Sequence, residues 1–167
     1  MFGLVLLVSG MRMLLYTVTA FTLGHSVTLS VAVLGYVRFP TALVEVVIAA
    51  TIVALALELA RPVPAKPGWM RRAPWAMAFG FGLLHGLGFA GALAEVGLPP
   101  EEIPAALLAF NLGIEVGQVA FVLVVVALRW ALAGAIASAP AWALRAPVYG
   151  MGGLAVYWCL DRASGLL

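Results

Sequence analysis

The run AFGFGLLHGLGFAGALAE, residues 78–95, decides how the rest of the chain is read. It sets one histidine, His85, among five glycines, Gly80, Gly82, Gly86, Gly88 and Gly91. In water each glycine would cost a helix about 1 kcal/mol relative to alanine. In lipid the same residues allow neighbouring helix backbones to approach closely. The run therefore reads as the central helix of a membrane bundle, tightly surrounded, with one titratable group near its middle.

Composition agrees. Of 167 residues, 65 % are hydrophobic and 10 % charged, and the mean hydropathy is +1.13. Soluble domains carry about 45–50 % apolar and about 25 % charged residues. A chain this apolar needs lipid as its solvent. The apolar runs are continuous and lack a period of two, which argues against a β-barrel. The single cysteine, Cys159, excludes an internal disulfide and a cysteine-rich metal site. The net charge of +2 comes from basic residues scattered between apolar runs, so no stripe for nucleic acid exists. The N-terminus has no charged leader followed by a cleavage site and is not read as a removable signal peptide.

The expected fold is all-α: one polytopic transmembrane helix bundle with five full spans and a partial N-terminal helix. Residues 2–9 are too few to cross a bilayer, which takes about 20 residues. They read as the tail of a helix whose beginning is missing, or as an interfacial segment. The full spans are expected at 13–35, 41–60, 74–96, 105–128 and 142–160. Pro40 is placed to open the second. Residues 61–72, RPVPAKPGWMRR, read as a loop, with three prolines and four basic residues. Residues 97–104, GLPPEEIP, read as a short acidic turn, and residues 131–139 as either a helix extension or a loop. Gly113 and Gly117 read as a further close-packing pair.

Alternating the spans sorts the charges. Arg12, Arg61, Lys66, Arg71, Arg72, Arg129 and Arg145 fall on one side. Arg38 and Arg162 fall on the other, with Glu95, Glu101, Glu102 and Asp161. Such a bias puts the basic side in the cytoplasm and the C-terminus outside.

Three separate spans then carry an ionisable residue at a similar mid-membrane depth: His25, His85 and Glu115. A charge at a helix centre costs about 2.5–3.5 kcal/mol on insertion scales, and such groups usually face a bundle interior and mark a pathway or site. Around them, Thr19, Thr22 and Ser26 share one helix face, with His25 on its border and Thr28 three residues further on. Asn111, Glu115 and Gln118 share another face. Each has a plainer reading. His25 and His85 serve equally well as neutral space-filling hydrogen-bond donors, and Asn111 and Gln118 as interhelical glue worth about 1 kcal/mol. A buried carboxylate at Glu115 must be protonated or partnered. Glu58 reads as an interfacial residue within reach of Arg61, while Glu45, near Arg38, flanks the pathway on the outer side. Imidazole, carboxylate and amide without thiolate suit nickel, zinc, cobalt or ferrous iron. The same groups would also relay protons. No HExxH or GxSxG pattern is present, so the chain is not expected to be an enzyme.

Three blocks hold these residues: TAFTLGHSVTL at 19–29, FGFGLLHGLGFAGALAEVGLP at 79–99 and AFNLGIEVGQ at 109–118. Together they resemble the HupE/UreJ family of small bacterial membrane proteins, over about residues 18–157. The resemblance implies an inner-membrane protein of about six or seven helices. It further implies nickel, sometimes cobalt, permeation, or an accessory role in supplying metal to hydrogenase and urease. Its histidine-and-glycine motif maps to His85 and Gly86, and its other block to Phe21, Thr22, His25 and Ser26. Family members usually begin with a helix bearing an Asp-His pair, whereas this chain has no Asp before Asp161 and no His before His25.

The leading expectation is therefore a divalent-metal transporter, with His25, His85, Glu115 and Asn111 as ligands and Thr22, Ser26, Glu45 and Gln118 flanking them. The metal is cargo, and no permanently bound cofactor is expected. The alternative is a membrane-embedded accessory or scaffold protein for metalloenzyme maturation, or a proton-linked carrier of another solute. Expected partners are the lipid bilayer, the cation, and a second copy or a maturation protein.

Overall fold

The computed structural model describes residues 1–37, 39–62, 68–95, 99 and 101–166, and the side chains of all of these except 92–95. The expectations that fall on Arg38, Lys66 and the Glu95 side chain lie outside that set. The described residues form helices α1 (Phe2–Leu7), α2 (Met11–Val33), α3 (Thr41–Ala60), α4 (Trp69–Arg72), α5 (Pro74–Glu95), α6 (Ile103–Ala131), α7 (Ala133–Ser138) and α8 (Ala141–Ser164). Among them α2, α3 and α6 are long and apolar enough to cross a membrane. In length α5 and α8 match them, at 22 and 24 residues. Arg145, Pro147 and three glycines dilute α8. The all-helical architecture stands on these elements, with three candidate membrane spans among the described residues.

Local chemistry sets the boundaries. The end of α2 is a Schellman motif: Tyr36 N–H bonds Val31 O at 3.1 Å and Gly35 N–H bonds Ala32 O at 3.0 Å. Gly35 takes φ +80, a left-handed conformation that glycine adopts without a Cβ penalty. Pro40 precedes α3 as its N-cap, in extended conformation. Two expectations are corrected. The stretch read as one loop over 61–72 contains a helical turn, α4, because the last of its prolines is Pro67 and residues 69–72 are free to coil. Residues 131–139 neither extend α6 nor form a loop throughout: α6 ends at Ala131 and a separate short helix, α7, follows.

The long helices stand in the spatial order α6, α2, α5, α3, α8. Helices α2 and α5 run parallel, since Gly24 faces Phe79 and Leu83 while Gly86 faces His25 and Leu29. Their seam is built on missing side chains. A Cβ on Gly24, Gly82 or Gly86 would lie under 3.0 Å from a backbone carbonyl of the other helix. Across the same seam Thr28 Oγ1 donates to Leu83 O at 2.7 Å. On the other side of α5, Gly88 receives Ile48 from the antiparallel α3. Gly113 and Gly117 do not form the close-packing pair expected of them, because a Cβ at either would meet nothing within 4 Å. The backbone of α6 is approached from the α2 side, and its glycines lie on another face.

Short α1 wedges into one end of the bundle. Leu4 and Leu7 pack with Leu55, Met77 and Ala78, and Val5 packs with Leu14, Val18 and Val122. This wedge brings the start of α2, the end of α3, the start of α5 and the end of α6 to one level. Arg12, Arg61, Arg71, Arg72 and Arg129, at or just beyond those helix ends, therefore lie toward one end of the bundle. Glu58 there pairs with Arg71, Nε to Oε1 at 2.8 Å, rather than with the Arg61 named from sequence.

Candidate functional site

The site lies between α2, α5 and α6. On α2 the residues Thr19, Thr22 and Ser26 recur every three or four positions, so one stripe of hydroxyls faces α6. Two make interhelical bonds: Thr19 Oγ1 donates to Glu115 Oε1 at 2.7 Å, and Thr22 Oγ1 donates to Gln118 Oε1 at 3.2 Å. Ser26 Oγ donates to Thr22 O of its own helix at 2.7 Å, leaving its hydroxyl proton committed. Asn111 Nδ2 likewise donates to Leu107 O at 2.8 Å, so Asn111 is not the interhelical glue that Gln118 is.

His25 is 1 % exposed. Its ring stacks on Phe21 and on Phe110, both with centroids 6.2 Å away, and meets the edge of Phe89 at 5.5 Å. His85 is half-buried and packs edge-on against the same Phe21 at 5.3 Å. Phe21 thus links the two imidazoles. Gly82 and Gly86 flank the backbone of His25 directly, and only their lack of side chains permits this approach.

The polar accounting is unusual. Among the described residues, four buried side-chain atoms have no hydrogen-bond partner: Nδ1 and Nε2 of His25, Oδ1 of Asn111 and Oε2 of Glu115. A neutral imidazole carries one donor and one lone pair, and here both are unmet. Each unsatisfied buried group costs about 1–3 kcal/mol. All four belong to residues named from the sequence, His25 and Glu115 for their depth and Asn111 for its spacing from Glu115. A nitrogen lone pair, an amide oxygen and a carboxylate oxygen form the kind of donor set that a borderline divalent cation takes. They do not form a compact preset cage: no group of three or more His, Cys, Asp or Glu stands at metal-holding distance among the described residues.

The remaining candidates are placed as follows. Thr22 and Gln118 sit at the α2–α6 seam beside the site. Glu45 does not, since its Oε2 lies 3.3 Å from Arg162 Nε on the far side of the bundle, where α3 meets α8. Phe89 and Phe110 escaped the sequence reading. Their signal was present, because Phe89 lies one turn beyond His85 and Phe110 immediately precedes Asn111, but an apolar residue in an apolar helix does not stand out.

A family model described as HupE / UreJ protein matches residues 1–162. No curated protein and no solved structure matches the chain.

Proposed function

The chain belongs to the HupE/UreJ family, and on that premise we propose that it carries a divalent metal ion, nickel or cobalt, across the bacterial inner membrane. The observation that carries this reading is the set of unmet polar atoms on Asn111, Glu115 and His25, the last with its ring against Phe21, Phe89 and Phe110. The cation enters as substrate. His85, half-buried and packed on Phe21, is the more accessible imidazole and receives the ion first. His25 offers its lone pair next, with Asn111 Oδ1 and Glu115 Oε2 supplying oxygen. The Glu115 carboxylate lowers the cost of bringing a dication into low dielectric, and Thr19 holds its other oxygen in place. A loose donor set suits passage, because a transported ion must leave as readily as it enters. The orientation that goes with this reading puts the arginine end in the cytoplasm.

The test is saturable nickel binding to purified detergent-solubilised protein, with cobalt and zinc as competitors, followed by uptake into vesicles. Replacement of His85 with alanine or of Glu115 with glutamine is expected to abolish uptake while the protein still reaches the membrane. Wild-type uptake in both variants would sink the proposal.

The absence of a three-ligand cage among the described residues favours one other reading, an accessory protein that assists a metalloenzyme without moving ions itself. A stable co-purifying partner, with no metal bound and no uptake, would select it.

A further inference from the structure

Three surface cavities meet at one residue, Leu57 of α3, far from the histidines. The first, about 410 Å³, opens at the arginine end. Its floor is Ala54, Leu57 and Met70, and its rim is Arg61 and Trp69. Glu58 also lines it, but its carboxylate is engaged by Arg71 Nε and its carbonyl by Arg71 Nη2 at 2.9 Å. Arg61 is exposed and makes no ion pair among the described residues. Arg61 and Arg71 against Glu58 leave this pocket with a surplus of one positive charge. The other two cavities are apolar grooves at the seam of α3 and α8. One, about 180 Å³, runs past Ala56, Tyr149 and Gly152; the other, about 330 Å³, runs past Ala50, Cys159 and Leu160. Val53, Leu57 and Val156 line both and form the ridge that divides them.

We propose that this fork is a binding site for one acidic phospholipid, with its phosphate at Arg61 and Trp69 and its two acyl chains in the grooves on either side of the Val53–Leu57 ridge. The shape asks for a ligand with one polar head and two apolar tails. The charge asks for a net anion: a zwitterionic head brings an ammonium group into a pocket that already holds surplus arginine, whereas a lone phosphate is matched. Trp69 is 61 % exposed at the rim of the pocket, and an indole prefers to sit among lipid headgroups. This site does not depend on whether the protein carries metal.

The experiment is native mass spectrometry of the full chain, purified in detergent and offered dioleoyl phosphatidylglycerol, dioleoyl phosphatidylcholine or inorganic phosphate. One phosphatidylglycerol is expected to be retained per protein in preference to phosphatidylcholine. Arg61→Gln, an exposed position whose change leaves the helices intact, is expected to cut that preference about fivefold, the ratio corresponding to ~1 kcal/mol for one basic residue at an anionic surface. Ala54→Phe, which fills the junction of head pocket and groove, is expected to weaken retention of both lipids. Equal retention of the two lipids by the wild type would overturn the proposal. So would an unchanged preference in Arg61→Gln, full retention in Ala54→Phe, or competition by inorganic phosphate at the same concentration as the lipid.

Discussion

Helix α2 has two seams, and they are built on opposite principles. Towards α5 the contact is backbone on backbone, made possible by what Gly24, Gly82 and Gly86 lack. Towards α6 it is side chain on side chain, through Thr19 with Glu115, Thr22 with Gln118, and Val18 with Val122. The first seam has no slack, because a peptide carbonyl has no alternative rotamer. The second is made of groups that can rotate, and it holds the three described residues with unmet polar atoms. One seam fixes where His25 stands, and the other determines what His25 can share.

The sharpest way to break that contrast is to add a methyl group. Gly82→Ala places a Cβ against the backbone of Phe21 and is expected to cost more than about 3 kcal/mol, beyond the usual range for overpacking. The variant should fail to run as a single species in size-exclusion chromatography of membrane extracts. The corresponding change on α6, Gly117→Ala, meets open space and should be neutral or stabilising by up to about 1 kcal/mol in thermal unfolding. Equal damage from both would erase the distinction between the seams.

Hydrogen-bond deletions give a smaller and finer comparison. Thr28→Val removes the bond to Leu83 O across the tight seam, and Thr22→Val removes the bond to Gln118 across the adjustable one. Bonds between membrane helices are worth about 0.6 kcal/mol on average. Thr28→Val should exceed that figure, because Leu83 O is left in a seam too tight for water. Thr22→Val should fall at or below it, because Gln118 can turn to another partner. Unfolding in mixed micelles measures both. The smallest effect is expected at Glu45→Gln, whose partner Arg162 is more than half exposed, with a change of a few tenths of a kcal/mol. Loss of metal uptake in that variant would return Glu45 to the pathway.

Much of this was legible in the chain itself, for identifiable reasons. Lipid as solvent forces continuous apolar runs, so α3 was readable to the residue and the other long helices to within a few. Mid-helix polar residues have few places to go, so His25, Asn111, Glu115 and Gln118 could be picked out from depth and spacing. What spacing could not supply was the neighbour of each face. Gly82 and Gly117 look alike as letters, yet one touches a carbonyl and the other touches nothing, and only the order of helices in space separates them. The neighbour of Glu45 is hidden in the same way: α3 stands next to α8, which brings Glu45 to Arg162.

The parallel pairing of α2 with α5 also bears on how the protein is made. Thr28 must wait for Leu83, 55 residues later, and Thr22 for Gln118, 96 residues later. At about 5–20 residues per second the first wait lasts roughly 3–11 s and the second roughly 5–19 s. Throughout that interval α2 is a newborn helix with a hydroxyl stripe and no neighbour to receive it. Its hydroxyls carry their own interim arrangement, since Thr17 bonds Met13 O, Thr22 bonds Val18 O and Ser26 bonds Thr22 O within the same helix. Those three bonds need nothing from the rest of the chain. The helix is thus equipped to enter the bilayer early and stay there until its partners emerge from the ribosome, with the Thr19 hydroxyl, which bonds Glu115, and the imidazole of His25 left without such cover.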